Sequence, residues 1–137
     1  MSFNSIINIV LPKSGENVVH ITGHYIEPRG GSVHGGVDFN YVVGQAGINL
    51  LHPAVYSPAA GVVEFFDGSY GAVSIRGVNG FIHQILHFNS QDVSAGSAVI
   101  AESLIGAMGG AGHTWGNIYD WYVFCQLRYF NLLSLDC

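Results

Sequence analysis

The sequence predicts an all-β domain, a compact antiparallel β-sandwich or partly open barrel. Nineteen glycines interrupt a chain rich in Val, Ile, Tyr and Phe, the composition of short strands joined by tight turns. Turn signals recur roughly every 8–12 residues, the spacing of all-β folds. Helical periodicity is not evident anywhere. A length of 137 residues fits one domain around one core. With 49% hydrophobic and 9% charged residues, the chain is not of the disordered class, which needs the opposite balance.

Residues 1–16 read as an N-terminal arm whose apolar run, Ile6 to Leu11, is stopped by Pro12. Val18 to Ile26 has strand composition and carries His20 and His24. A glycine-rich loop, Pro28-Arg29-Gly30-Gly31-Ser32, leads into His34-Gly35-Gly36-Val37-Asp38-Phe39, which ends as a strand. Gly44 to Asn49 is a turn region, and His52 to Pro58 is extended because each proline restricts the residue before it. Val62 to Phe66 and Ala72 to Arg76 form a hairpin around Asp67-Gly68 and Tyr70-Gly71. Val78-Asn79-Gly80 signals a second hairpin, followed by a strand from Phe81 to Phe88. Val93 to Val99 turns at Gly96, Ser103 to Met108 is a short strand, and Tyr119 to Tyr129 is the last.

Composition also bounds function. Mean hydropathy is +0.35, yet no apolar stretch approaches the roughly 20 residues that span a bilayer, so an integral membrane protein is not expected. Met1 to Pro12 has no basic region and no small-residue cleavage site, so it does not read as a signal peptide. Work outside a cell would then depend on lysis, a secretion machine or a virus particle. Net charge is −5, with Lys13, Arg29, Arg76 and Arg128 as the basic residues. Four scattered cations do not form the face that neutralises phosphates, so nucleic acid is not an expected partner. Cys125 and Cys137 are too few for a disulfide framework; they read as two thiols, with a single bridge as the alternative.

Two histidine spacings carry chemistry. His34 and Asp38 form H-x-x-x-D at the start of a strand. Imidazole and carboxylate are both zinc donors, and residues four apart on a strand share a face. A turn Asp beside a surface His would show the same spacing. His83 and His87 form H-x-x-x-H and would also share a face on one strand. His83 is better explained as a buried, hydrogen-bonded or simply exposed histidine, and so are His20, His24, His52 and His113.

The order of motifs through the middle of the chain resembles the lysostaphin-like (LytM-type) zinc endopeptidases, which cut peptide cross-bridges of bacterial peptidoglycan. The family's H-x-G-x-D corresponds to His34-Gly35-Gly36-Val37-Asp38. Its P-V-x-A-P-x-x-G-x-V stretch corresponds to Pro53 through Val63, and its Y-x-H-L stretch to Ile85-Leu86-His87-Phe88. Val93 to Val99, Leu104 to Gly109 and Gly112 to Gly116 follow the family's later glycine-bearing segments. The resemblance covers residues 18–128, within a single domain of residues 1–137 that ends in a tail of residues 129–137. It implies a fold of the duplicated-hybrid-motif kind with a substrate groove, one zinc ion, His34 and Asp38 as ligands, and His87 as catalytic histidine. Zinc chemistry fits these residue types, because zinc acidifies water and polarises carbonyls while a histidine handles protons near neutral pH.

The pattern departs at its end. The family closes on H-x-H, whose second His is the third ligand, and here no His follows His113. A gapless alignment places Ile118 and Asp120 at those positions, making Asp120 the third metal ligand. Aligning instead on Tyr122-Val123-Phe124-Cys125-Gln126-Leu127-Arg128, which resembles an H-V-H-Y-Q-L-R ending, places Tyr122 and Phe124 there. Either way one catalytic histidine is missing. A two-carboxylate site would hold its water at a higher pKa and favour harder cations.

The expected function is a zinc-dependent endopeptidase of reduced activity acting on peptidoglycan peptides at the cell wall, periplasmic or extracellular, as a monomer. The alternative is a catalytically inactive cell-wall binding or activating module. Gly30 and Gly31 would let a peptide backbone approach closely, with Tyr119 and Tyr122 as further substrate contacts. A biotinyl or lipoyl carrier would need a lysine at a hairpin tip, and the one lysine, Lys13, is in the arm. A phosphocarrier would need two facing histidines and no metal-binding Asp.

Overall fold

The computed structural model describes residues 3–24, 28–33, 36–41, 52–67, 71–78, 80–86, 88–108 and 125–130. Helix α1 (Phe3–Val10) comes first, and the other described elements are strands. β1 (Val19–Gly23), β2 (Pro28–Arg29), β3 (Ser32–Val33), β4 (Val37–Tyr41), β5 (Ala54–Tyr56) and β6 (Gly61–Asp67) make up the first half. β7 (Ala72–Gly77), β8 (Ile82–Leu86), β9 (Phe88–Gln91), β10 (Ala98–Val99), β11 (Leu104–Met108) and β12 (Cys125–Phe130) follow.

The arm differs from expectation: it is helical. Ile6, Ile7, Val10 and Leu11 are each no more than 2% exposed, while Asn4, Ser5 and Asn8 face solvent. That spacing is one stripe of a 3.6-residue period. Each such burial is worth about 1.5–3 kcal/mol, enough to hold a helix too short to persist alone. Leu11 N donates to the Ile7 carbonyl at 2.9 Å, and Pro12, lacking an N–H, ends the series. The helix packs on β1 and β5. The Tyr41 hydroxyl then donates to the Pro12 carbonyl at 2.8 Å, fastening the arm to β4.

The strands form a seven-stranded sheet in the order β1-β4-β12-β8-β7-β6-β10, a three-stranded sheet β5-β11-β9, and the hairpin β2-β3. Every described strand pair is antiparallel. This is the expected antiparallel all-β architecture with open sheets. β8 belongs to the large sheet and β9 to the small one, with one residue of sequence between them. The core lies between the sheets and α1. It draws Val37, Phe39, Val63, Val73, Ile75 and Ile85 from the large sheet and Val55, Phe88, Ile105 and Met108 from the small one.

The expected glycine loop at Pro28–Ser32 is a two-strand hairpin. Gly30 and Gly31 form its turn, with φ of 52° and 97°, and Arg29 pairs with Ser32. Two successive positive φ values define a type I′ turn and account for the paired glycines. Gly106 has a different reason. A Cβ there would run into the Ser90 carbonyl oxygen and the Phe88 ring, so glycine lets β11 lie close against β9.

Candidate metal centre

β4 carries the chemistry. Its neighbours are β1 on one side and β12 on the other. Val37, Phe39 and Tyr41 point into the core, so alternation places Asp38 and Asn40 on the opposite face. Both are buried nonetheless, at 7% and 6% exposure. Removing a carboxylate from water is costly unless it is paired, hydrogen-bonded or coordinating a metal. A buried carboxylate on the non-core face of a sheet is therefore a feature with a purpose. Asn40 is committed locally: its Oδ1 accepts from Tyr41 N at 2.7 Å.

The register extends this face across the sheet. Asp38 lies opposite Gln126 of β12, and Gln126 lies opposite Leu86 of β8. Gln84, two residues before Leu86, donates to the Ser74 hydroxyl of β7 at 3.3 Å. Farther out, the Arg76 guanidinium meets Glu64 at 2.8 Å, with both side chains substantially exposed; such a pair contributes little to stability. On the other flank, His20 of β1 lies opposite Asn40 and Gly23 lies opposite Asp38, with a bulge between Ile21 and Gly23.

His83 lies on the other side of the sheet. It is 1% exposed, in register with Ile75 and Tyr129. Burial lowers its pKa from 6.5 to about 4, because a charged imidazole loses its hydration there. It is neutral at pH 7 and belongs to the core, in line with the buried-histidine explanation. β8 ends at Leu86, and His87, expected to share a strand face with His83, lies outside the described residues. His52 is also structural: its Nδ1 donates to the Met108 carbonyl at 3.1 Å and ties the start of β5 to β11. His24 is exposed.

Of the expected site residues, the structure places Asp38, Gly30 and Gly31. His34, His87, Tyr119, Asp120 and Tyr122 lie outside the described residues, as do Gly109, Gly110 and His113. Among the described residues no three ligating side chains gather at one point. The face of Asp38 does suit zinc in donor type, since a carboxylate and an imidazole project from neighbouring strands. His20 is the group that sequence reasoning set aside. Both its ring nitrogens are buried, with no hydrogen-bond partner among the described residues.

Comparison with known proteins bears on the family and the fold. The profile of peptidase family M23 matches residues 32–128, from the β2-β3 hairpin into β12. The chain belongs to peptidase family M23. No curated protein sequence matches it. Among solved structures, a zinc-containing peptidase from Vibrio cholerae superposes with a TM-score of 0.66 at 19% identity, covering 95% of this chain and 37% of that one. The present chain thus spans well under half of that protein. A mutant catalytic domain of the prophage-encoded M23 protein EnpA from Enterococcus faecalis gives a TM-score of 0.63 at 18% identity, covering 88% of this chain and 85% of that one. The catalytic domain of the antimicrobial peptidase lysostaphin from Staphylococcus simulans gives 0.60 at 18% identity, with coverages of 83% and 80%. At these identities the similarity establishes a common fold.

Proposed function

We propose that this chain is a zinc-dependent endopeptidase domain that acts, with reduced activity, on peptide cross-bridges of bacterial peptidoglycan. The observation that carries this is Asp38: a carboxylate at the family's second-ligand position, buried on the non-core face of the sheet between two strands. His34, four residues earlier, is the first ligand. Zinc, when bound, supplies polarisation of a peptide carbonyl and acidification of water. His87 handles protons beside it. Gly30, Gly31, Tyr119 and Tyr122 contact the peptide, which binds extended along the groove. The setting is the bacterial cell wall, outside the cytoplasm, and the working form is a monomer. Among the described residues no helix is long and apolar enough to cross a membrane.

The third ligand separates the two alignments of the chain's end. The gapless one assigns Asp120. The other is supported by β12, which starts at Cys125 and pairs with β4 through Gln126 and Asp38. Aligned on Cys125-Gln126-Leu127-Arg128, the two histidine positions are Tyr122 and Phe124, and the chain's last segment supplies no imidazole.

Zinc content by elemental analysis tests the proposal. Near one zinc per chain is expected, with stoichiometric binding lost in Asp38→Ala and peptidoglycan solubilised slowly by the parent. Full zinc in Asp38→Ala would overturn the assignment. Zinc binding with no turnover, even of sensitised cell walls, would favour the binding or activating module.

A further inference from the structure

The geometry points to His20 of β1 as the third protein ligand of the zinc site, replacing from one flank of β4 the imidazole that the chain lacks on the other. This rests on the zinc reading of Asp38 given above. β4 has two neighbours, and a donor reaching an ion beside Asp38 can come from either. On the β12 side the end of the chain offers no histidine. On the β1 side His20 lies directly opposite Asn40, two residues along the same face from Asp38.

Val19 is buried opposite Tyr41, and Ile21 packs against the core opposite Phe39. Alternation therefore turns His20 to the face of Asp38. The two are diagonal cross-strand neighbours, a relation that separates side-chain origins by about 7–8 Å. An ion bound by each at about 2 Å fits between an imidazole and a carboxylate extended toward each other. The bulge after Ile21 adds one residue to β1 between His20 and Gly23, and bulges commonly re-aim side chains beside functional sites.

The ring itself supplies the second observation. A neutral imidazole offers one donor and one acceptor. Both nitrogens of His20 are shielded from solvent and find no partner among the described residues. Leaving such groups unsatisfied is costly, and coordination of one nitrogen gives it a partner. With His34 and Asp38 the set becomes two imidazoles and one carboxylate, a composition that leaves a fourth position open for water, as catalytic zinc sites do. Asp120 is then not needed as a ligand.

The experiment is metal binding by the purified chain, read as zinc per protein and as competition with a chelator of known affinity, with cobalt absorption as a second signal. The parent is expected to bind one zinc. His20→Gln should weaken binding by more than about 100-fold, beyond what loss of a ligand's hydrogen-bond partner costs, and Asp120→Ala should change it by less than about threefold. His20→Cys should bind cobalt with a thiolate charge-transfer band that the parent lacks, since cysteine sulfur is itself a zinc-site ligand. Read in variant protein shown to be folded, and against the parent with its own Cys125 and Cys137, that band is a positive signal. Parent-like affinity in His20→Gln, with binding lost in Asp38→Ala, would overturn the role of His20 and leave the zinc site standing. Absence of that band in a folded His20→Cys would also overturn it. A parent that takes up no metal would overturn the zinc reading itself.

Discussion

The imidazole of His83 shows what burial alone does to a histidine in this fold. Its pKa falls from 6.5 to about 4. Between those values the unfolded chain holds a proton that the folded chain does not. Its contribution to stability is therefore complete above pH 6.5 and is lost as pH falls toward 4. A gap of that size corresponds to on the order of 3 kcal/mol. His83→Leu should flatten the loss of stability between pH 7 and pH 4.5 in urea unfolding; a variant with the parent's full acid dependence would assign that dependence to other groups. His20 differs in kind, because it stands on the opposite face, beside a carboxylate. The sequence made Asp38 visible, since H-x-x-x-D is a local spacing. It could not show His20 as its neighbour, because that relation is set by the pairing of β1 with β4 across eighteen positions of chain.

Elements with strict strand patterning were legible. β8 falls within its expected segment, and β4, β6 and β7 overlap theirs but run one or two residues past the expected ends. α1 was not, and the reason is length. Over eight residues, Ile6, Ile7, Val10 and Leu11 read equally as one apolar run, and only the sheet beneath them decides for a helix. That dependence is testable. Ile7→Ala should destabilise the domain by about 2–5 kcal/mol, the cost of truncating a fully buried aliphatic side chain, and should release α1 first in hydrogen exchange. If the loss is below about 1 kcal/mol, the helix is an appendage. Gly106→Ala tests the small sheet in the opposite sense. The added methyl meets the Ser90 carbonyl and the Phe88 ring, and overpacking of that kind costs about 1–3 kcal/mol. The glycine that the resemblance marks in sequence is thus one on which the close approach of two strands depends.

At the scale of the whole molecule, the proposed metal site and the sheet would be one cooperative object. Asp38 and His20 sit on adjacent strands of the seven-stranded sheet, and β4 is fastened to the N-terminal arm through Tyr41 and Pro12. A ligand that binds the folded chain and not the unfolded one stabilises it by RT ln(1 + [L]/Kd), about 2.7 kcal/mol at a hundredfold excess over Kd. For a domain of this size that is a rise of roughly 10 °C in the midpoint of thermal unfolding. Zinc added to chelator-stripped protein should produce such a rise, and a chelator should reverse it. Asp38→Ala and His20→Gln should each lack the zinc-dependent part, whatever their metal-free midpoints, because the shift is a difference taken within one variant. If both variants retain the full shift, zinc binds elsewhere on the chain. If His20→Gln alone retains it, the ion is held by Asp38 with donors other than β1, and Asp120 becomes the residue to replace next.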